Sequence, residues 1–234
     1  MRKIILKNIS FNYKSGDFIL KNISEELDCQ GITAVIGRNG AGKSTFFNLI
    51  LRNTAPSSGE IIFTDKKMKS IFMAQNISAP WKLTCQEVFE FIYSLNSESF
   101  KTTNFRNFLD DEFSLSKWEK IKKRRFGLCS NGEKSWFMAN IILNLENDVY
   151  FLDEPTAGID PESRILIWNK IKKTVEKGKG VFISSHLLDE IAQYAGKIIL
   201  IHNASVYQYD NIEAFKLKHG SHSVDSAFMN AISG

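Results

Sequence analysis

The stretch "GITAVIGRNGAGKST", residues 31–45, constrains this chain more than any other. A nearly continuous apolar run leads into Gly37, Gly40 and Gly42, followed by Lys43, Ser44 and Thr45. The pattern G-x-x-x-x-G-K-[ST] is met by Gly37–Ser44. The apolar run reads as a buried parallel strand, and "STFFNLILRN" behind it reads as a helix. Such a junction gathers backbone N–H groups and the positive end of a helix dipole at one point, which suits phosphate. Glycine lets the backbone turn its N–H groups inward and approach a ligand without a Cβ in the way. Lys43 adds a mobile cation for β- and γ-phosphates, and the Ser44 hydroxyl is placed to ligate Mg²⁺. The loop of Gly37, Arg38, Asn39, Gly40, Ala41, Gly42, Lys43, Ser44 and Thr45 is therefore expected to cradle phosphate. A glycine-rich turn that binds nothing is the alternative, and the strand before and helix after weigh against it.

A second apolar run, "VYFLDE", ends in two carboxylates, Asp153 and Glu154. Successive strand residues point to opposite faces, so the two need not share a role. With a phosphate loop in the same chain, Asp153 is the candidate for holding hydrated Mg²⁺. Glu154 is the candidate for orienting and deprotonating an attacking water. Taken alone, the run is equally a strand entering an acidic turn.

The remaining sequence alternates short strands with helices. "KIILKNISF" and "FILKNISEEL" read as antiparallel strands around a turn at Ser15-Gly16-Asp17; "EIIF", "SIFMAQ", "GVFISS" and "KIILIH" are further strands. "TCQEVFEFIYSL" carries a capping box, Thr84 with Glu87. "SLSKWEKIKKRRF" reads as a basic helix, and "EKSWFMANIILNL" as a buried one. "DPESRILIWNKIKKTVEKG" reads as a helix with Asp160 as N-cap, Pro161 in the first turn and Gly178 as its stop. The expectation is a single α/β domain over residues 1–234. Residues 1–79 with 146–234 would form the core and an antiparallel β-subdomain, and 80–145 an inserted helical subdomain.

Composition excludes little. A net charge of +4 is too small to argue for a nucleic-acid partner. Cys29, Cys85 and Cys129 are far apart in sequence and odd in number, which points to neither a disulfide framework nor a CxxC metal site, and a reducing compartment fits best. The N-terminus lacks the apolar core and cleavage site of a signal peptide. No apolar run approaches the roughly 20 residues that span a bilayer.

Several ordered motifs now carry a resemblance. The chain resembles, over essentially its whole length, the ATP-binding subunit of an ABC transporter. Gly37–Ser44 resembles the Walker A loop and Val149–Asp153 the Walker B strand, with Glu154 as the following catalytic carboxylate. Gln75 stands where the family places its Q-loop glutamine, which touches Mg²⁺ or the water. "TAGID" resembles the D-loop, with Asp160 as its aspartate, and His186 resembles the H-loop histidine that contacts the γ-phosphate. Tyr13 resembles the aromatic that stacks on adenine. "CSNGE", Cys129–Glu133, is similar to the signature usually written LSGGQ, with Ser130 and Gly132 kept. The resemblance implies a P-loop NTPase fold, with ATP and Mg²⁺ as cofactors and ATP hydrolysis coupled to transport. It also implies a homodimer or heterodimer with a second ABC ATPase, an integral-membrane permease partner, and a place on the cytoplasmic face of the cell membrane. In that family Ser130 and Gly132 would grip the γ-phosphate held by the opposite subunit.

The departures matter as much. Asn131 replaces a glycine, and Asn tolerates a left-handed backbone. Glu133 brings a carboxylate near phosphate, which is repulsive unless it turns into the S-x-x-E capping box with Ser130. A helix cap with no ligand is the plain alternative. The segment between Lys43 and Gln75 is short for the family, and the basic run Lys120–Arg125 reads as a solvated helix face. The tail "SVDSAFMNAISG" is similar to the ending of the subfamily that powers small exporters of drugs, antibiotics, lipids or peptides. Two rival readings fit the same residues: a soluble ABC ATPase with no membrane partner, and a nucleotide sensor with weak hydrolysis.

Overall fold

The computed structural model describes residues 2–14, 16–77, 79–96 and 104–233. These residues divide into two compact units, 1–74 with 147–154 and 172–234, and 75–146 with 155–171. Segment 155–171 thus groups with the helical insertion, where the sequence boundaries put it with the core.

The first unit holds two sheets. In the smaller, β1 (Lys3–Asn12) lies between β2 (Phe18–Asp28) and β4 (Ser58–Phe63), and both pairings are antiparallel. Gly16 N–H closes the β1–β2 turn on the Tyr13 carbonyl at 3.0 Å, and Ser15 lies outside the described residues. The β1–β4 register shifts beyond Lys7, where Asn8 takes a φ of +49°. There a Cβ on Gly59 would sit 2.4 Å from the Lys7 and Asn8 carbonyl oxygens, so only glycine fits this bulge.

The larger sheet runs β5 (Ser70–Met73), β6 (Val149–Asp153), β7 (Gly180–Ser184), β3 (Gly31–Ile36), β8 (Lys197–His202), β9 (Ser205–Tyr209). All neighbours are parallel except β8 and β9. Every residue of β6 and β7 is buried, which explains why both are apolar up to their last residues, Asp153 and Ser184. Helix α1 (Lys43–Ile50) buries Phe46, Phe47, Leu49 and Ile50. Phe47 meets Phe151 edge-on at 5.6 Å, and Phe151 stacks on Phe182 at 5.0 Å. Each such ring is worth about 1.5–3 kcal/mol when fully buried, so this aromatic column fixes α1 on β6 and β7. A separate apolar cluster joins Ala34, Ile36, Ile198 and Leu200 to Ile191, Phe215, Val224 and Ala227. The last four come from α6 (Leu188–Tyr194), α7 (Ile212–Lys218) and α8 (Val224–Ser233).

The second unit contains α2 (Cys85–Asn96), α3 (Glu112–Ile121) and α4 (Asn131–Ile142), with the first part of α5 (Pro161–Glu176). Its centre is aromatic. Phe105 lies within 6.1 Å of Phe89, Phe108, Trp118, Trp136 and Phe137, and Trp118 stacks on Phe137. The Thr84–Glu87 box caps α2, and Asp160 Oδ1 accepts from Ser163 N–H at 2.9 Å to cap α5. Gly178, just past α5, takes a φ of +75°. The basic run departs from its expected form: α3 ends at Ile121, Lys122 and Lys123 form a turn, and Arg124 and Arg125 lie in a bend and an isolated bridge beyond it. Among the described residues, no helix is long and apolar enough to cross a membrane.

Candidate active site

The phosphate loop forms where β3 ends. Gly40 and Gly42 take φ values of +81° and +105°, in the region that favours glycine. Gly37 is needed for space: a Cβ there would lie 2.5 Å from the Ile201 carbonyl oxygen on β8. Lys43 curls back beneath the loop, its Nζ donating to the carbonyls of Gly37 at 2.9 Å and Arg38 at 3.4 Å. The loop and its lysine are thus shaped by contacts within the chain. Tyr13, at the end of β1, leaves its ring 59% exposed. Its hydroxyl lies 3.1 Å from Thr45 Oγ1 at the start of α1, and its ring packs edge-on against Phe11 at 4.8 Å. An exposed aromatic face therefore stands beside the loop, fixed at both ends.

Strands β6 and β7 deliver the acidic groups. Ser44 Oγ donates to Asp153 Oδ2 at 2.5 Å, and Ser184 Oγ donates to Asp153 Oδ1. Ser184 Oγ also accepts from Glu154 N–H at 2.9 Å. Asp153 and Glu154 are both buried. Glu154 has a φ of +53°, unusual for a side chain with a Cβ, so the strand breaks sharply after Asp153. Across the break, Glu154 Oε2 meets His186 Nδ1 at 2.7 Å. The two adjacent carboxylates, expected on opposite faces, therefore do different things: Asp153 faces the α1 hydroxyl and Glu154 faces an imidazole that is 60% exposed. Ser44 Oγ and Asp153 form an all-oxygen donor pair. That chemistry fits Mg²⁺, which is held by one or two protein groups with the rest of its shell supplied by phosphate and water.

Tyr13, the loop, Asp153, Glu154 and His186 share the first unit; Gln75, Ser130, Gly132 and Asp160 belong to the second. Gln75 is exposed just after β5. Ser130 is the N-cap of α4: its hydroxyl accepts from Glu133 N–H at 3.1 Å, and Glu133 Oε2 accepts from Ser130 N–H at 2.8 Å. Arg124 Nη1 also donates to both oxygens of Glu133, at 2.8 and 2.9 Å. Burial raises the Glu133 pKa, but Ser130 N–H and Arg124 outweigh it and hold the carboxyl below its ordinary value. Its charge is therefore turned into the cap and neutralised, so the feared repulsion is answered by Arg124. Asn131 takes a different form from that expected. It is the first helical residue of α4, not a left-handed one. Gly132 is demanded by space, since a Cβ there would lie 2.0 Å from the Gly158 carbonyl oxygen. Lys117 Nζ donates to Asp160 Oδ2 at 2.5 Å and Ser163 Oγ at 2.8 Å, and lies 5.2 Å from the centre of the Trp136 ring. Burial pushes the Asp160 carboxyl upward, but Lys117 and the Ser163 N–H and hydroxyl hold it down at about 2.

The sequence pattern of the family described as ABC transporter matches residues 20–157. The chain belongs to the ABC transporter family. It is similar to Protein McbF of Escherichia coli, 28% identical over 215 residues that cover 90% of this chain and 87% of McbF. Its fold is similar to that of a solved ATP-binding subunit of an ABC transporter, with a TM-score of 0.81 at 21% identity over 97% of this chain and 98% of that one. It is also similar to a dimeric, post-hydrolysis ATP-binding cassette bound to ADP and Pi, with a TM-score of 0.72 at 22% identity over 88% and 98%. These likenesses establish the ABC ATPase fold. As a member of the family the chain is an ATP-binding ATPase subunit.

Two polar residues of this ABC chain escaped the sequence reading. Ser184 joins Asp153 to the Glu154 backbone, and Lys117 ties Asp160 to α3. A serine at a strand end and a lysine on a basic helix carry no local signal that distinguishes them from the other serines and lysines of the chain. Their partners lie 31 and 43 positions away in sequence.

Proposed function

We propose that this chain is the ATP-hydrolysing motor of an exporter, acting on a separate integral-membrane permease from the cytoplasmic face of the cell membrane. The observation that carries the reading is the linked set Ser44–Asp153–Ser184–Glu154–His186, closed by hydrogen bonds at the mouth of the phosphate loop. The loop N–H groups and Lys43 bind the phosphates, with Lys43 exchanging the Gly37 carbonyl for phosphate oxygen. Tyr13 stacks on adenine. Ser44 and Asp153, with Gln75, would hold Mg²⁺, which would offset the charge on the phosphates when bound with ATP. Glu154 takes the proton from the attacking water, while His186 fixes the carboxylate's direction through Oε2 and turns its other edge to the γ-phosphate.

A phosphate loop and a signature present once each fit a head-to-tail pair, in which Ser130, Gly132 and the D-loop Asp160 of one subunit close over nucleotide held by the other. The permease and the export direction rest on the family membership and on the tail's resemblance to small exporter subunits. Isolation of the tagged chain from its native membranes, followed by identification of what accompanies it, tests the partner. An integral-membrane chain is expected, with ATP turnover in the complex that Lys43→Ala abolishes. Recovery with soluble proteins alone, or turnover unchanged by Lys43→Ala, overturns the reading.

A further inference from the structure

Two thiols that lie 44 positions apart in sequence lie side by side in the fold. Cys85 opens α2 and Cys129 directly precedes Ser130, the N-cap of α4; their sulfur atoms are 3.5 Å apart. Backbone pairing holds them there. Cys85 N–H donates to the Arg124 carbonyl at 3.0 Å, Phe126 N–H donates to the Leu83 carbonyl at 2.7 Å, and Thr84 bridges Arg125 antiparallel between them. The pair is enclosed: Cys85 is fully buried and Cys129 is 5% exposed. Both are free thiols, as is Cys29, which belongs to the other unit.

We infer that Cys85 and Cys129 form a covalent modification site, closed to a disulfide by a small hydroperoxide. The inference concerns the thiols themselves and rests on the proposed function only for its effect on turnover. A disulfide needs sulfurs about 2.05 Å apart, so closure draws the two sulfurs together by about 1.5 Å from their present 3.5 Å. The more exposed Cys129 meets the oxidant first. Its sulfur attacks the terminal peroxide oxygen, the O–O bond breaks, and the other oxygen takes up the thiol proton and leaves as water from hydrogen peroxide, or as the alcohol from an organic hydroperoxide. The resulting sulfenic acid is attacked by the Cys85 sulfur; the S–S bond forms, the S–O bond breaks, and the hydroxyl leaves as water with the Cys85 proton. Two thiols lose two electrons in all and one peroxide gains them. Burial, then the contact with Cys129, pushes the Cys85 thiol well above its ordinary value. This makes the second step slow, and the enclosure of both sulfurs favours a small oxidant over a bulky disulfide reagent. Because Cys129 abuts the N-cap, closure shifts Ser130 and with it the first turn of α4, which the proposed function uses to grip nucleotide.

Peptide mapping without reductant, after graded exposure of the native chain to hydrogen peroxide, tests this directly. The expected result is one new crosslinked peptide joining 85 to 129. Cys29 serves as the internal control and should stay reduced, since burial, then the neighbouring Asp28 charge, push its thiol up to about 12. ATP turnover should fall in step with the crosslink and return with dithiothreitol. Cys85→Ser and Cys129→Ser should each lack the crosslink and its reversible loss of turnover. Oxidation of Cys129 to sulfinic or sulfonic acid without a crosslink overturns the inference, as does a pair that stays reduced when Cys29 oxidises. A crosslink that forms fully in a chain with no ATPase activity supports the site while removing the proposed function, so the two failures are distinguishable.

Discussion

Glu154 and His186 form a short polar contact, 2.7 Å from Oε2 to Nδ1, and the glutamate reaches it from a backbone φ of +53°. An acidic side chain held in a sparsely populated conformation is secured by its surroundings, here by the Ser184 carbonyl and hydroxyl, which both accept from its N–H. The contact predicts unequal effects of two substitutions. Glu154→Gln removes the base and should lower the ATPase kcat by about 10²-fold or more, the range of general-base catalysis, while leaving ATP binding intact. His186→Ala leaves the carboxylate present but unsteered and should cost less at this contact. Single-turnover hydrolysis with parallel nucleotide-binding titrations checks both; full activity in the Glu154 variant would remove that residue from its role.

Ser184→Ala should reduce turnover although its hydroxyl is placed behind the carboxylates. The change leaves a buried Asp153 oxygen without its donor and deprives Glu154 N–H of its shorter acceptor. An uncompensated buried polar group costs about 1–3 kcal/mol, so thermal unfolding should shift downward with kcat. Ser184→Thr, which restores the hydroxyl, should recover part of both.

Arg124→Ala should weaken ATP-driven association of two subunits more than it weakens ATP binding by one. The arginine neutralises Glu133 in the first turn of α4, and without it that carboxylate stands near the proposed grip with its charge exposed. Sizing of the Glu154→Gln background with and without Arg124→Ala, in ATP, measures the difference. Glu133→Gln added to Arg124→Ala should restore association, since it removes the orphaned charge.

The Lys117–Asp160 pair gives an acid-stability signature. Asp160 is held at about 2 against an ordinary value of 3.8, a depressed carboxylate. Its contribution to stability is therefore complete above about 4 and is lost as pH falls from there through about 2. Thermal melts should show Asp160→Asn and Lys117→Met destabilised relative to the native chain at neutral pH. That gap should narrow as pH falls through the same window. Asp160 is substantially exposed, so the gap should be modest and should shrink with salt. A gap independent of pH would mean the pair contributes packing and no charge.

The phosphate loop and the acidic strand end were legible because their chemistry dictates residue type at fixed spacing. The capping boxes at Thr84 and Ser130 and the α5 boundaries at Asp160 and Gly178 were legible because their signals are local. Strand β9 and helices α6 to α8 were not read. Each is short, and their apolar residues make sense only against the face of Ala34, Ile36, Ile198 and Leu200 that they cover. The Asn131 expectation treated the signature as an isolated loop. The requirement there is for space at Gly132, and the atom that demands it belongs to Gly158. Nor could spacing bring Cys85 to Cys129, because the pairing of 83–85 with 124–126 unites segments with no shared local pattern.

That Gly132–Gly158 approach carries a lesson for anyone altering the protein. Where one main chain rests directly on another, position 132 has no neutral neighbour in sequence space, while position 158 is constrained by its φ of +71° and not by space, and random mutagenesis confined to the α4 start would keep returning glycine. Diversifying both stretches together offers a way out. Enlarged side chains at 132 should then be recovered only alongside compensating changes that lift the other ribbon away.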